Sequence, residues 1–286
     1  IFELDIFSLS DEEIISGVRL NAPVLGAGTD ADGDGLTEAP GGVLNLYMGD
    51  SAEGGDANLR QYTNADRSGQ DTLTNEAFYI KSLGPDLVNG GEIIEVVFRE
   101  NVDDSDINHK QVWEGVTSIT AEGGSGNDII VVDSRVAANV VFGGGSGNDV
   151  ISYGGTGSAM IGGGAGDDTL VGGQGPDTLN GDAGQDKLLG REGGDTLHGG
   201  DDDDVLDGGV GVDTLNGGNA NDSYSWNVGD GNDTFIEAAS TDPGEVDTLF
   251  ILGGTTVITA GAGGASTGFT ENDDSIGLSQ TAGVVN

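Results

Sequence analysis

Large apolar residues recur at close to nine-residue intervals through the middle of the chain: Ile151, Ile161, Leu170, Leu179, Leu188, Leu197, Leu206, Leu215 and Tyr224. Each sits in a short β-prone triplet such as Thr169-Leu170-Val171, and glycines and polar residues fill the intervals. A helix would repeat its apolar positions every three and four residues, and a half-exposed strand would alternate over four to eight. A period of nine fits neither. It fits a six-residue turn followed by a three-residue strand that sends one side chain inward. Two such units close one coil of 18 residues, so residues i and i+18 stack at roughly 4.8 Å, the inter-strand spacing.

Outside this stretch the pattern changes. Phe2-Glu3-Leu4-Asp5-Ile6-Phe7 alternates as a strand, and Ser10-Asp11-Glu12-Glu13 could cap a short helical turn before Pro23. Val43–Met48, Ala77–Lys81 and Glu92–Arg99 read as strands separated by Gly, Asn and Pro turn signals. This region is either a separate β module or an irregular extension of the coils, and a separate module is favoured. Gln111–Ala121 leads into the first nonapeptide, with Val112, Val116 and Ile119 suited to an opening coil and Trp113 to plugging its end. The 21 residues from Gly123 to Gly144 equal one coil plus a three-residue insertion, across which Val136, Val140 and Phe142 stay apolar. Past the repeats come Tyr224, Trp226 and Phe235, two strand candidates at Asp247–Leu252 and Thr255–Thr259, and a Gly/Ser/Thr-rich tail. The last coil of a solenoid exposes apolar edges and unpaired strand backbone, so residues 237–286 could serve as a cap or a linker.

The chemistry lies in the turns. From Gly144 the units run GGSGNDVIS, GGTGSAMIG, GGAGDDTLV, GGQGPDTLN, GDAGQDKLL, GREGGDTLH, GGDDDDVLD, GGVGVDTLN and GGNANDSYS. GGSGNDIIV at Gly123–Val131 precedes them and VGDGNDTFI at Val228–Ile236 follows. The sixth position is Asp throughout except at Ala159. With 18-residue coils, Asp149, Asp168, Asp186, Asp204 and Asp222 line one edge, and Asp177, Asp195, Asp213 and Asp233 line the other, with Ala159 as a gap. Asp128 belongs to the earlier unit. Stacked carboxylates about 5 Å apart repel by about 3 kcal/mol per pair at an effective dielectric near 20. A divalent cation between successive turns would remove that repulsion and couple binding to folding. Carboxylates and carbonyls without Cys, and with only His109 and His198, suit Ca²⁺ better than Mg²⁺ or Zn²⁺. Both histidines lack a second N or S ligand at useful spacing and read as solvated.

These units resemble the RTX family of calcium-binding repeat proteins, whose nonapeptide forms a parallel β-helix. The resemblance covers about Gly123 to Ile236. It implies an all-β fold, a right-handed parallel β-roll, in which the sixth-position Asp and carbonyls of the Gly-rich turn bind Ca²⁺ between neighbouring coils. It also implies secretion through a one-step (type I) channel. Departures are Ala159, Asp182 and Arg191 at the second glycine, and Asp202 and Ala220 at the fourth. A separate segment, Thr29–Glu38, carries Asp30, Asp32 and Asp34 before Gly35, the first half of an EF-hand-type loop, with Glu38 at the ninth position and Gly41 where a bidentate Glu would stand. The expected organisation is a β-rich module over 1–110, the roll over 111–236, and a cap or linker over 237–286.

The net charge of −41 across 286 residues, with 50 acidic and 9 basic residues, opposes nucleic acid or anionic membranes as partners and fits the collection of divalent cations. No 18-residue apolar run offers a membrane span. Weak calcium sites, with dissociation constants of about 10⁻⁴–10⁻³ M, fill outside the cell. The expected function is therefore an extracellular, non-catalytic structural or adhesive module of a surface, matrix or adhesin protein. Its partners would be calcium ions and, by extension, other copies or repeat units. The alternative is the calcium-binding part of a secreted protease or lipase whose catalytic domain lies upstream of Ile1, since no H-E-x-x-H or G-x-S-x-G occurs here.

Overall fold

A computed structural model describes residues 37–38, 42–47, 75, 77–99, 108–227, 229–236, 246–252, 275–278 and 284–285. They form an all-β fold built from two sheets, of 12 and 9 strands, that face each other across one apolar core. Between Ile129 and Leu252 every strand of the first sheet pairs in parallel with the strand one coil on, and the second sheet follows the same rule from Ser118 to Ile236. This is a parallel β-solenoid. Among the described residues, no helix is long and apolar enough to cross a membrane.

The register carries the nine-residue period into space. Leu179, Leu197, Leu215 and Phe235 stack in the second sheet, and Leu170, Leu188, Leu206 and Tyr224 in the first. All eight are buried, with Phe235 the most exposed at 6 %. Flanking residues such as Thr178, Thr196 and Thr214 point outward and stack as a column. The insertion between Gly123 and Gly144 is absorbed as expected, because Ile129 pairs with Val150 and Val136 folds into the core.

Upstream, the described strands are β-rich as expected and join the two sheets of the solenoid. Ala77–Pro85 pairs in parallel with Ile129–Val132, and Val43–Tyr47 pairs in parallel with Ser118–Ser125, so both sheets of the solenoid continue into this region. Ala77–Pro85, Glu92–Arg99 and Asn108–Val116 then form an antiparallel meander. The physical reason is the free edge of the first coil, which exposes unpaired backbone that adjacent alternating strands can satisfy. Trp113, Val116 and Ile119 are buried, as an end plug would be, whereas Val112 lies on the outer side of its antiparallel strand.

At the opposite end Asp247–Leu252 adds one more parallel strand to the first sheet. Ser275–Leu278 and Val284–Val285 then close the two sheets with antiparallel pairings. Tyr224 and Phe235 meet edge to face inside this end, with centroids 5.4 Å apart and planes at 78°. Thr255–Thr259 lies outside the described residues.

Candidate metal-binding corners

The glycines of each turn serve two distinct needs. At the second and fourth positions the backbone enters the left-handed region, as at Gly145 (φ 109°) and Gly147 (φ 121°). The four departures noted in the sequence, Asp182, Arg191, Asp202 and Ala220, adopt the same geometry with φ between 73° and 81°. They accept strain that glycine would avoid. The first glycine is needed for space instead. A Cβ at Gly181 would meet the carboxylate of Asp186 and the carbonyl of Gly199 one coil on, the latter at 2.6 Å. At Gly199 it would meet Asp204 and the Gly217 carbonyl. A carboxylate oxygen and a main-chain carbonyl oxygen thus converge beside the first glycines of this edge from Gly123 to Gly199, whereas at Gly217 the Tyr224 hydroxyl takes the place of the carbonyl.

The sixth-position aspartates stack in two ladders, as the period predicts. On one edge each N–H donates to Oδ1 of the aspartate in the next coil: Asp128 to Asp149, Asp149 to Asp168 and Asp168 to Asp186, each at 2.7 Å, then Asp186 to Asp204 at 2.8 Å and Asp204 to Asp222 at 2.9 Å. The other edge runs from Ala159 N to Asp177 at 2.6 Å, Asp177 to Asp195 and Asp195 to Asp213 at 2.8 Å, and Asp213 to Asp233 at 3.0 Å. From Asp128 to Asp222 these side chains are at most 3 % exposed, and Asp233 is at 8 %. From Asp149 to Asp233 each therefore gives Oδ1 to a backbone N–H while buried.

The other oxygen is the chemical feature. Oδ2 of Asp149, Asp168, Asp186, Asp195, Asp204 and Asp213 is buried without a hydrogen-bond donor. A buried acceptor left unsatisfied costs about 1–3 kcal/mol, more when charged. Burial, offset in part by the ladder hydrogen bond and deepened by neighbouring carboxylates, pushes Asp204 up to about 8, Asp168 and Asp195 up to about 7, and Asp186 and Asp213 up to about 6. Asp149, Asp177 and Asp233 are raised by the same desolvation. In this form the ladders favour protonation or a cation. Among the described residues no three Asp, Glu, His or Cys side chains converge on one point, so carbonyls would have to complete any site. Anionic and carbonyl oxygens without nitrogen or sulfur are the donor set that calcium takes.

Other sequence expectations sort as follows. Asp30, Asp32 and Asp34 lie outside the described residues, while Glu38 falls in the strand Thr37–Glu38, paired in register with Glu114. His198 lies half-buried in the outer column between Asn180 and Asn216. Two features escaped the sequence reading. Asp247 extends the first ladder by accepting the N–H of Asp222 at 3.0 Å, and is fully buried. Its Asp247-Thr248-Leu249 triplet repeats the D-T-L of the nonapeptides without their glycines. The fifth position also forms a ladder of opposite sense: Asn127, Asn148, Asp167, Asp203 and Asn221 each accept through a side-chain oxygen the N–H of the coil above. The N-D or D-D pair at Asn127, Asn148, Asp167, Asp203 and Asn221 was its visible signal.

A family model of the RTX calcium-binding nonapeptide repeat, in 4 copies, matches residues 120–134, 162–197 and 189–224. Neither the curated proteins nor the solved structures contain a match to the chain. The matched residues hold most of the glycine corners and of both aspartate ladders, and the chain carries RTX calcium-binding nonapeptide repeats.

Proposed function

We propose that this chain is an extracellular, non-catalytic structural or adhesive module that binds several calcium ions and rigidifies when it meets them after secretion. The observation that carries this reading is the row of buried, unsatisfied Oδ2 atoms, of which those of Asp149, Asp168, Asp186, Asp195 and Asp204 share the space beside a first glycine with a carbonyl of the next coil. Without cations such rows oppose folding through desolvation and mutual repulsion. With cations they become the bonds between coils. RTX repeat proteins are typically secreted, and calcium is abundant outside the cell, which supports an export route that carries the chain unfolded and folds it on arrival. The net charge of −41 favours calcium over anionic partners.

Circular dichroism and small-angle scattering of the full chain, first in EGTA and then in millimolar calcium, test the proposal. The expected result is a largely coil-like, expanded chain that gains β signal and contracts to a rod when calcium is added. Equal β content and equal dimensions in both conditions would overturn it.

A further inference from the structure

Among the described residues, one corner lacks the sixth-position aspartate. The turn Gly154–Ser158 carries Ala159 in place of the sixth-position aspartate. In this turn and in the Gly172–Asp177 turn stacked on it, Gly155, Gly157, Gly173 and Gly175 all lack the positive φ seen at Arg191, Gly193 and Gly209 further along the same edge, a departure otherwise shared only by Gly211 among the described second- and fourth-position glycines of that edge. Asp177 has both oxygens engaged: Oδ1 accepts from Ala159 N and Oδ2 from Gly173 N, each at 2.6 Å. The donor that elsewhere would be offered to a cation is already used. The fully buried Tyr153 fills the space. Its hydroxyl donates to the Ala138 carbonyl and accepts from Gly157 N, both at 2.9 Å, and its ring lies against Gly155 and Gly173. The turn backbone is held from below as well, with Gly154 N on Val132 O and Thr156 N on Val136 O, both at 3.0 Å.

The coils on the N-terminal side of this corner are also stabilised differently. Phe78 and Phe98 contact each other at 5.1 Å within a cluster that includes Ile80, Ile94, Trp113 and Tyr153. The buried Glu95 lies between Lys81 and Lys110 in paired ions, and Glu92 accepts from the N–H groups of Ala137 and Ala138 at 2.9 and 2.8 Å. These contacts need no metal. From Leu170 to Leu215, by contrast, the inner column of each strand is a single leucine.

We infer that the Tyr153 corner is a cation-free seam, and that it joins a calcium-independent N-terminal end of the solenoid to the calcium-dependent coils, for which that end acts as a folding template. This rests on the calcium-driven reading above. Calcium then fills one edge along its length and the other only beyond the seam, where Asp195 and Asp213 again leave an oxygen free. The preformed edges of Val150–Tyr153 and Ala159–Ala165 present the strand backbone on which the next coil pairs, so the repeats fold from the seam outward.

Hydrogen exchange on the full chain separates the possibilities. In EGTA the amides of 77–99 and 129–153 are expected to exchange at least 100-fold more slowly than those of 178–227, and calcium is expected to slow the latter. Unprotected amides throughout in EGTA, all slowed by calcium, would overturn the template while leaving the calcium-driven reading standing. Protection throughout in EGTA would overturn that reading instead. Counting bound ions by native mass spectrometry at saturating calcium tests the seam itself. Asp204→Asn is expected to lose at least one ion, and Asp177→Asn to keep the full number despite lower stability, because one of its two backbone donors loses its acceptor. Equal ion loss in both variants would overturn the seam. Should Asp177→Asn fail to fold, Tyr153→Phe decides: the full ion count is expected, with protection of 150–157 in EGTA reduced at least tenfold. Unchanged protection would count against the proposal.

Discussion

The two ends of this solenoid solve one problem, the closing of a coil, with different chemistry. Near Tyr153 the space between the sheets is filled by Phe78, Phe98, Trp113, Ile130 and Ile151, and the half-buried Glu92 and the buried Tyr153 hold identified hydrogen-bond partners, although Oδ2 of Asp149 is left unsatisfied here as well. Between Leu170 and Leu215 the core narrows to a leucine column, and the corners of Asp186, Asp195, Asp204 and Asp213 bury carboxylates with one oxygen unsatisfied. The first arrangement is stable by burial. The second leaves buried anionic oxygens that a cation or a proton would satisfy. On the proposal above, one scaffold combines a part that folds without calcium with a part whose folding reports it.

Removing calcium is the strongest way to break this comparison. Chelation should abolish most of the β signal of the leucine-column coils, and millimolar calcium should restore it, as followed by far-ultraviolet circular dichroism. Next in size are two core truncations that should separate the regions. Phe98→Ala should cost about 3–5 kcal/mol and lower the melting temperature in EGTA as well as in calcium. Leu197→Ala should cost about 2–5 kcal/mol in calcium and change nothing measurable in EGTA. If both variants melted alike in EGTA, the contrast between the ends would be lost.

Asp204→Ala sharpens the picture at one corner. It removes the acceptor of Asp186 N–H, held at 2.8 Å, and one free carboxylate oxygen. Calcium titrations of the roll should shift their midpoint upward by about tenfold, equivalent to about 1.4 kcal/mol. Asp30→Ala should leave the roll's titration unmoved.

A pH series without calcium should show a smaller effect of definite sign. The ladder carboxyls are raised in the fold, with Asp204 at about 8 and Asp168 and Asp195 at about 7. The folded coils therefore bind more protons than the unfolded chain between about pH 4 and pH 8, and by linkage their metal-free stability falls as pH rises through that window. Acidification in EGTA from pH 8 to pH 4 should recover β signal. Over the same range protons should compete with calcium and weaken its binding. Ala220→Gly should have the smallest effect. It relieves a non-glycine φ of 81° and should raise the melting temperature in calcium by a few degrees at most.

Much of this was legible in the residues. The nine-residue spacing places Leu179 over Leu197 and Asp186 over Asp204 because two units make one coil, and the observed 18-residue hydrogen-bond steps bear that out. Asp247 was hidden because its step from Asp222 spans 25 residues and lacks the glycine turn that marked the others. The N-terminal strands were legible as strands, but their attachment was not, since alternation says which face is buried and not which edge it joins.

Composition and spacing alone determined the coil, the inward column and the two acidic ladders, because a repeat turns local sequence into a lattice in which every position has a predictable neighbour. Only the tertiary structure decided what each oxygen of those ladders meets. It gave both oxygens of Asp177 to backbone donors, left Oδ2 of Asp204 with none, and placed the Tyr153 ring at the corner where Ala159 breaks the pattern. Those outcomes depend on burial and on contacts between distant coils, which a period cannot encode.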